Sequence, residues 1–371
     1  MSNRPPLSLR TVIKVGSALL VDPDGAVRRA WLETLVADIA ALHAKGERVV
    51  IVSSGAIALG ARRLALPKGG RASLEDAQAA AAVGQIALAG VWTELLASHG
   101  LTAAQMLVTL DDLEDRRRFL NASATFDRLL NLGCVPVVNE NDSVATQEIR
   151  FGDNDRLAAR VAQAAAAKSV ILLSDVDGLY TANPKTNPDA TRLAEVAALT
   201  PDIEAMASAD SASGMGSGGM VSKLQAAKIA TKAGTDLIIL SGLHDHPLAR
   251  LTRGEGGTRF VAAPPAKARK GWLAGRLTAK GRIHVDSGAA AALTKGKSLL
   301  AAGITQVEGK FERGDVVDII GPDGTAFARG LAEYDSRDGA KIAGLSTAAI
   351  TERLAAPPRS AFVHRDHMVM L

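Results

Sequence analysis

The stretch Gly214-Met215-Gly216-Ser217-Gly218-Gly219-Met220-Val221-Ser222-Lys223 is a run of small residues that ends in a lysine and opens a helical pattern. Glycines let several backbone N–H groups approach one anion, the helix that follows points its positive end at it, and Lys223 adds a full charge. The stretch therefore reads as a phosphate-holding loop, although the same composition without the lysine and the helix would read as a flexible surface loop. No Walker loop accompanies it, because Gly-x-x-x-x-Gly-Lys-Ser/Thr occurs nowhere in the chain. Gly214, Gly216 and Gly219 also satisfy Gly-x-Gly-x-x-Gly, but a dinucleotide fold needs a buried strand before the motif and an acid at the end of the next strand. Here Ala205 to Ser213 is polar and small, and Asp236 begins its strand rather than ending it. A nucleotide-using chain with neither motif requires another α/β architecture.

Outward from that loop, apolar strand-like runs alternate with Ala- and Leu-rich helical runs, the order of a mainly parallel sheet covered on both faces. Strands are expected near Thr11 to Val15, Arg48 to Val52, Ala103 to Val108, Val135 to Val138, Val170 to Leu173 and Leu237 to Leu240. Five of them run directly into polar, small-residue segments: Lys14-Val15-Gly16-Ser17, Ser53-Ser54-Gly55-Ala56, Asn139-Glu140-Asn141-Asp142, Ser174-Asp175-Val176-Asp177-Gly178 and Ser241-Gly242. In open α/β sheets ligands gather at the strand C-terminal ends, so these five turns are expected to line one crevice.

A length of 371 residues with 47% hydrophobic content allows a large core and one or two domains. No apolar run is read as approaching the roughly 20 residues of a membrane span, and Met1 to Arg10 lacks the apolar core of a signal peptide, so a cytoplasmic location without membrane contact is expected. The single cysteine, Cys134, excludes a disulfide framework and reads as a core thiol. Between Arg250 and Arg276 seven Lys/Arg residues face one acid, Glu255, around Pro264-Pro265; this reads as a basic linker. Beyond it, short strands at Gly281 to Val285, Lys310 to Ile320 and Phe327 to Leu331 alternate with turns at Arg313-Gly314-Asp315 and Asp323-Gly324. From Arg276 onward thirteen Lys/Arg stand against eleven Asp/Glu, too small an excess to argue nucleic-acid binding from charge. The triplets His364-Arg365-Asp366 and His244-Asp245-His246 copy a protein-kinase motif and a metal pair without the context of either, and read as tail and surface loop.

Six motifs carry a resemblance over the whole chain: Val12-Ile13-Lys14-Val15-Gly16-Ser17, Ile51-Val52-Ser53-Ser54-Gly55-Ala56-Ile57, Val138-Asn139-Glu140-Asn141-Asp142, Gly152-Asp153-Asn154-Asp155, Ser174-Asp175-Val176-Asp177-Gly178-Leu179-Tyr180 and Ser217-Gly218-Gly219-Met220-Val221-Ser222-Lys223. With these the chain resembles the amino acid kinase family in members that carry a C-terminal PUA domain. The resemblance implies a three-layer α/β sandwich with a mainly parallel central sheet over residues 1–262, a linker over 263–277 and a small β-rich PUA-like domain over 278–360. It implies transfer of the ATP γ-phosphoryl group, with Mg²⁺, to the side-chain carboxylate of L-glutamate, the first step of proline synthesis, with feedback inhibition by proline. Where family members more often carry Thr, this chain has Ser53, Ser174, Ser217 and Ser222, which keep the hydroxyl.

The residues agree with that chemistry. A glutamate side chain, with a solution pKa of about 4.3, is already an anionic nucleophile, so no general base is needed, and none of the seven histidines falls inside a motif. The reaction needs positioning and positive charge instead. Lys14 and Lys223 fit as the charges on the transferring group, and the resemblance makes Asp155 the carboxylate that organises them; read alone, Asp155 is an ordinary acid at a helix start. The resemblance makes Ser54, Asp142 and Asn154 the glutamate ligands, with the Gly55 N–H as a further donor. Read alone, Asp142 is a turn residue. Nucleotide contacts are expected from Lys14, Ser174, Asp175 and the loop Ser217, Gly218, Gly219, Met220, Val221, Ser222 and Lys223, with Mg²⁺ carried on the phosphates and no direct protein ligand assigned. A homo-oligomer through the α/β domain is expected, and the lability of γ-glutamyl phosphate makes the reductase that consumes it a candidate partner. Aspartate, N-acetylglutamate, carbamate and UMP are the competing acceptors. The alternative from another class is an RNA-binding PUA protein on a degenerate kinase scaffold.

Overall fold

The computed structural model describes residues 9–22, 25–144, 153–184, 186–208, 219–264, 279–354 and 357–371. The chain divides into two compact units, Met1–Glu114 with Ala122–Ala263, and Asp115–Asn121 with Pro264–Leu371.

In the first unit, β1 (Arg10–Val15), β2 (Arg48–Ser53), β3 (Ala103–Val108), β4 (Val135–Glu140), β5 (Ser169–Ser174), β6 (Glu195–Val196), β7 (Asp236–Ser241) and β8 (Thr258–Phe260) form one sheet in the order β3-β4-β2-β1-β5-β7-β8-β6. Neighbours are parallel throughout except for β7 and β8. Six of these strands fall within two residues of their sequence-read positions; the central ones are written as runs of Val, Ile and Leu because they are buried on both faces, and only the edge strand β3 departs from that, with one buried residue. The other two, β6 and β8, are too short to carry a period.

Helices α1 (Ser17–Leu20), α2 (Arg29–Ala44), α3 (Ala56–Arg63), α4 (Leu74–Ala97), α5 (Leu110–Glu114), α6 (Arg116–Asn131), α7 (Asp153–Ala164), α8 (Pro201–Ser208), α9 (Met220–Lys232) and α10 (Pro247–Thr252) alternate with the strands. One face of the sheet is covered by α2, α4 and α10, the other by α7 and α9. Ile13 and Val15 of β1 point into the cluster built with Trp31, Leu35, Leu88 and Trp92. By the two-residue period of a strand, Lys14 points to the opposite face, where α7 crosses β1.

The α3/α4 pair meets backbone to backbone. A Cβ added to Gly60 would lie 1.8 Å from the Ala80 carbonyl oxygen, and one added to Gly84 would lie 1.8 Å from that of Ala56. Glycine at both crossing points is therefore a steric requirement, and the contact fixes where α3 begins, next to the Ser53-Ser54-Gly55 turn. By length and composition alone α4, with 24 residues, is apolar enough to cross a membrane, contrary to the sequence expectation. Its Leu88, Trp92 and Leu96 side chains are nevertheless buried in the core.

In the second unit, β9 (Gly281–Val285), β10 (Ile304–Gly309), β11 (Val316–Ile320), β12 (Ala326–Leu331) and β13 (Met368–Met370) form a sheet in the order β10-β9-β11-β12-β13, with α11 (Ser287–Thr294), α12 (Ser336–Ile342) and α13 (Thr347–Leu354). The expected strand Lys310 to Ile320 is instead a turn followed by β11: Phe311 plugs the core and Gly314 has φ +88°. The strand before it, β10, escaped notice because Thr305 and Gln306 are exposed and break its apolar signal. The Gly314 turn closes no hairpin, since β9 separates β10 from β11 in the sheet, whereas the Asp323-Gly324 turn does join the antiparallel pair β11 and β12. Residues beyond 360 are not a tail. Val363 bridges Leu299, residues Arg365–His367 make a 3₁₀ turn, and β13 extends the sheet. Most of the expected linker, residues 265–277, lies outside the described residues. Cys134 is a free, half-buried thiol just before β4.

Candidate active site

Parallel pairing puts the strand ends level. Val15 is in register with Ser53 on one side and Leu173 on the other, and Ser174 with Ser241. The turns after β1, β2, β4, β5 and β7 therefore emerge on one edge of the sheet, and two helices on the α7/α9 face start there as well.

The first cluster on that edge is ionic. Lys14 Nζ lies 2.7 Å from Asp155 Oδ1, and Lys223 Nζ lies 3.0 Å from Asp155 Oδ2. All three side chains are buried, Asp155 completely. Asp155 sits in the first turn of α7 and Lys223 in the first turn of α9, whose N-cap is Gly219. Burial pushes the Asp155 carboxyl up, but the ammonium groups of Lys14 and Lys223 more than reverse this and hold it below the usual carboxylate range. One carboxylate thus fixes two cations that would otherwise repel. Gly16 leaves the space above Lys14 open: a Cβ there would stand 3.7 Å from Nζ.

The second cluster is polar. Asn154 Nδ2 donates to Ser54 Oγ at 2.6 Å and stands 3.4 Å from both the Ser53 carbonyl and Asn139 Oδ1. Asn139 is held by Gln85 Oε1 at 2.8 Å, and Trp92 Nε1 donates to Ser53 Oγ at 2.9 Å. Ser54 is tied to the β1 loop by its N–H, which donates to the Val15 carbonyl at 3.2 Å. Gly55 turns the chain into α3 with φ +105°, a conformation that side-chain-bearing residues avoid. Asn154 Oδ1 is buried and has no hydrogen-bond partner among the described residues. Asp142, after β4, is also buried; burial lifts its carboxyl to about 6, with the Arg71 guanidinium pulling the other way.

Because Asn154 and Asp155 are consecutive on α7, the two clusters share one helix turn. Of the residues expected at the nucleotide, Ser174 is buried and its Oγ donates to Asp175 Oδ1 at 3.0 Å, while Asp175 itself is exposed. Met220, Val221 and Ser222 form the first turn of α9, whereas Ser217 and Gly218 lie outside the described residues. Ser53 and Asn139 were read only as members of the crevice-lining turns, and Gln85 and Trp92 were not read as site residues. The one visible hint was Gln85, one of two glutamines on the otherwise mostly apolar α4. The His244-Asp245-His246 triplet serves α10 rather than a metal: His246 is its N-cap, and the buried Asp38 accepts from the Leu248 and Ala249 N–H groups and stands 2.9 Å from His246 Nδ1.

Comparison with known proteins gives the same picture. The amino acid kinase family matches residues 9–241 and the PUA domain residues 281–354. A glutamate 5-kinase of Sphingopyxis alaskensis is 63% identical over the full length of both chains, and one of Zymomonas mobilis is 60% identical over 99% of this chain and 93% of its own. Among solved structures, the carbamate kinase from Giardia lamblia bound to AMP-PNP shares the fold, with a TM-score of 0.51 at 15% identity over 69% of this chain and 99% of its own. Such coverage and identity leave one assignment: the chain belongs to the amino acid kinase family, among the glutamate 5-kinases that carry a C-terminal PUA domain.

Proposed function

We propose that the chain transfers the γ-phosphoryl group of ATP to the side-chain carboxylate of L-glutamate, forming L-glutamyl 5-phosphate and ADP at the entry to proline synthesis. The observation that carries this reading is the adjacency of the Lys14–Asp155–Lys223 cluster and the Asn154–Ser54 pair on one turn of α7.

The glutamate carboxylate is ionised at neutral pH and attacks the γ-phosphorus directly: a carboxylate oxygen–phosphorus bond forms as the bond to the β,γ-bridging oxygen breaks, and ADP takes the electron pair. No proton has to move. Lys14 and Lys223 compensate the charge spread over the phosphoryl oxygens, and Asp155 keeps both ammonium groups aimed without solvent rearrangement, the largest usual contribution to such a step. The α-ammonium of the substrate is taken by Asp142 and by the free acceptor Asn154 Oδ1, and its α-carboxylate by Ser54 Oγ and the Gly55 N–H. Ser174, Asp175 and the α9 N-terminus, with the loop before it, hold the nucleotide. Asp155 is committed to two cations, and the described residues contain no cluster of three or more metal-ligating side chains. That donor set suits Mg²⁺ bound through the nucleotide phosphates, where it supplies charge neutralisation.

Proline shares the α-ammonium and α-carboxylate, so it inhibits by occupying Asp142 and Asn154; inhibition that persists unchanged in an active Asn154→Ala enzyme refutes this. The chain works as a homo-oligomer in the cytoplasm and hands its labile product to a reductase. The deciding assay is ADP release with Mg-ATP against L-glutamate, L-aspartate, N-acetylglutamate and UMP, with hydroxylamine trapping any acyl phosphate. Glutamate-dependent hydroxamate is expected, and turnover with another acceptor alone overturns the substrate.

A further inference from the structure

We infer that Gln85 is a positioning residue for amino acid binding: through Asn139 it sets which way round the Asn154 amide stands, and so keeps an oxygen, not an NH₂ group, on the side offered to the substrate's α-ammonium. The inference rests on the glutamate reading above and extends it to a side chain that touches no substrate.

A side-chain amide has a donor end and an acceptor end of nearly equal shape, so its partners decide its orientation. Asn154 Nδ2 meets three oxygens, Ser54 Oγ at 2.6 Å and the Ser53 carbonyl and Asn139 Oδ1 at 3.4 Å each. The carbonyl can only accept, and the hydroxyl can play either part. Asn139 Oδ1 is the variable member, because Asn139 is itself an amide and, turned over, would present Nδ2 to Asn154. What holds it is Gln85 Oε1, which accepts from Asn139 Nδ2 at 2.8 Å. The sequence of acceptor and donor thus runs from Gln85 through Asn139 to Asn154. At its end stands Asn154 Oδ1, buried and without a hydrogen-bond partner among the described residues, the acceptor assigned above to the ammonium.

Gln85 serves as a fixed reference because its backbone cannot slide. It follows Gly84, where a Cβ would lie 1.8 Å from the Ala56 carbonyl oxygen, so α4 is locked against α3 one residue earlier. Asn139 is equally confined, near the end of β4 and 3% exposed. A buried amide that loses its partner has no water to replace it. Without the Gln85 acceptor, Asn139 and Asn154 can turn over together, Asn139 Nδ2 donating to Asn154 Oδ1. Asn154 Nδ2 then faces the substrate's ammonium, donor against cation.

The test compares full-length wild type, Gln85→Leu and Gln85→Glu in the hydroxamate assay. Leucine keeps the volume and removes the acceptor, whereas glutamate keeps an oxygen that accepts. Wild-type hydroxamate formation from L-glutamate secures the underlying reading; its absence overturns that reading and the inference with it. In Gln85→Leu, KM for L-glutamate is expected to rise about tenfold, the scale of one lost hydrogen bond to a charged group, with kcat and KM for ATP within about twofold. In Gln85→Glu, KM should stay within about threefold of wild type, because the acceptor is retained. A second comparison separates positioning from packing: with Asn154 already alanine, Gln85→Leu should change KM for L-glutamate by about twofold or less, since the side chain through which Gln85 acts is gone. An unchanged KM in Gln85→Leu overturns the inference. So does a Gln85→Glu enzyme as impaired as Gln85→Leu, or the same rise in KM with and without the Asn154 side chain, which would mark a structural role only.

Discussion

Replacing Asp155 by asparagine keeps the shape of the side chain and removes the one charge between two buried ammonium groups. With separations of 2.7 Å to Lys14 and 3.0 Å to Lys223, each attraction is worth roughly 5–6 kcal/mol at an effective dielectric constant near 20. Their common partner keeps the two nitrogens within about 8 Å, where their mutual repulsion is roughly 2 kcal/mol or more once the carboxylate is gone. Desolvation of the ions already offsets much of the gross attraction, so the net cost of removing one partner is about 3–5 kcal/mol. The assay is urea and thermal unfolding of wild type and Asp155→Asn, repeated with pyrophosphate present. The variant should lose several kcal/mol and regain more from the anion than wild type does, because its ammonium groups lack a counter-charge. Its kcat should fall by a factor on the order of 10² to 10³, as for loss of an aimed electrostatic group. The pH dependence has a definite sign. Asp155 is depressed in the folded protein, so its contribution is fully present above the unfolded value of about 3.9 and is lost only as pH falls through the folded value. The gap between wild type and variant should stay flat from pH 6 to 8 and close only in stronger acid. A variant within about 1 kcal/mol of wild type, with no extra gain from the anion, would refute the view that Asp155 organises the two lysines.

Further outcomes are expected from other parts of the site. Asp142 must be ionised to receive an ammonium group and titrates at about 6; KM for L-glutamate should therefore rise about tenfold per pH unit below that value while kcat holds, and Asp142→Asn should erase the acidic limb at the cost of a high KM throughout. Lys223→Ala should lower kcat by roughly 10² to 10³ and change KM for L-glutamate little; a pure KM effect in steady-state kinetics would make the lysine a binding group only. Gly84→Ala drives a methyl into the Ala56 carbonyl, so urea unfolding should show a loss of about 1–3 kcal/mol or more, with KM for L-glutamate rising as the Ser54 turn shifts.

The fold was legible because parallel strands buried on both faces must be apolar along their whole length, and the motifs interrupt that run only at its end. Lys14 shows the limit of this reading. A lysine one residue before the end of an apolar strand announces that something must neutralise it, but not what: Asp155 lies far along the chain, and in sequence it is an ordinary acid at a helix start. The supporting shell was less visible still. Gln85 is one of two glutamines on an apolar helix and Trp92 looks like any core aromatic, yet their side chains fix Asn139 and Ser53. Gly70 suggests only a turn until it is seen packed against α3 and α4.

These omissions have one physical origin. The residues proposed to touch substrate lie at strand ends and helix starts, where motifs recur in short runs, whereas the residues that aim them come from whichever helix happens to pass, at positions set by packing. The Gly60–Gly84 crossing is the hinge of that logic here. It draws α3 and α4 into backbone contact and so delivers, in one place, the Ser53-Ser54-Gly55 turn, the Gln85 amide and the Trp92 indole. In the proposed mechanism, amino acid recognition therefore depends on helix packing, while phosphate recognition depends on ion pairing across the sheet. Gly84→Ala and Asp155→Asn should accordingly separate the two, the first acting mainly on KM for L-glutamate and the second mainly on kcat. Equal effects of both substitutions on both constants would mean that the single turn of α7 shared by Asn154 and Asp155 couples the halves into one unit.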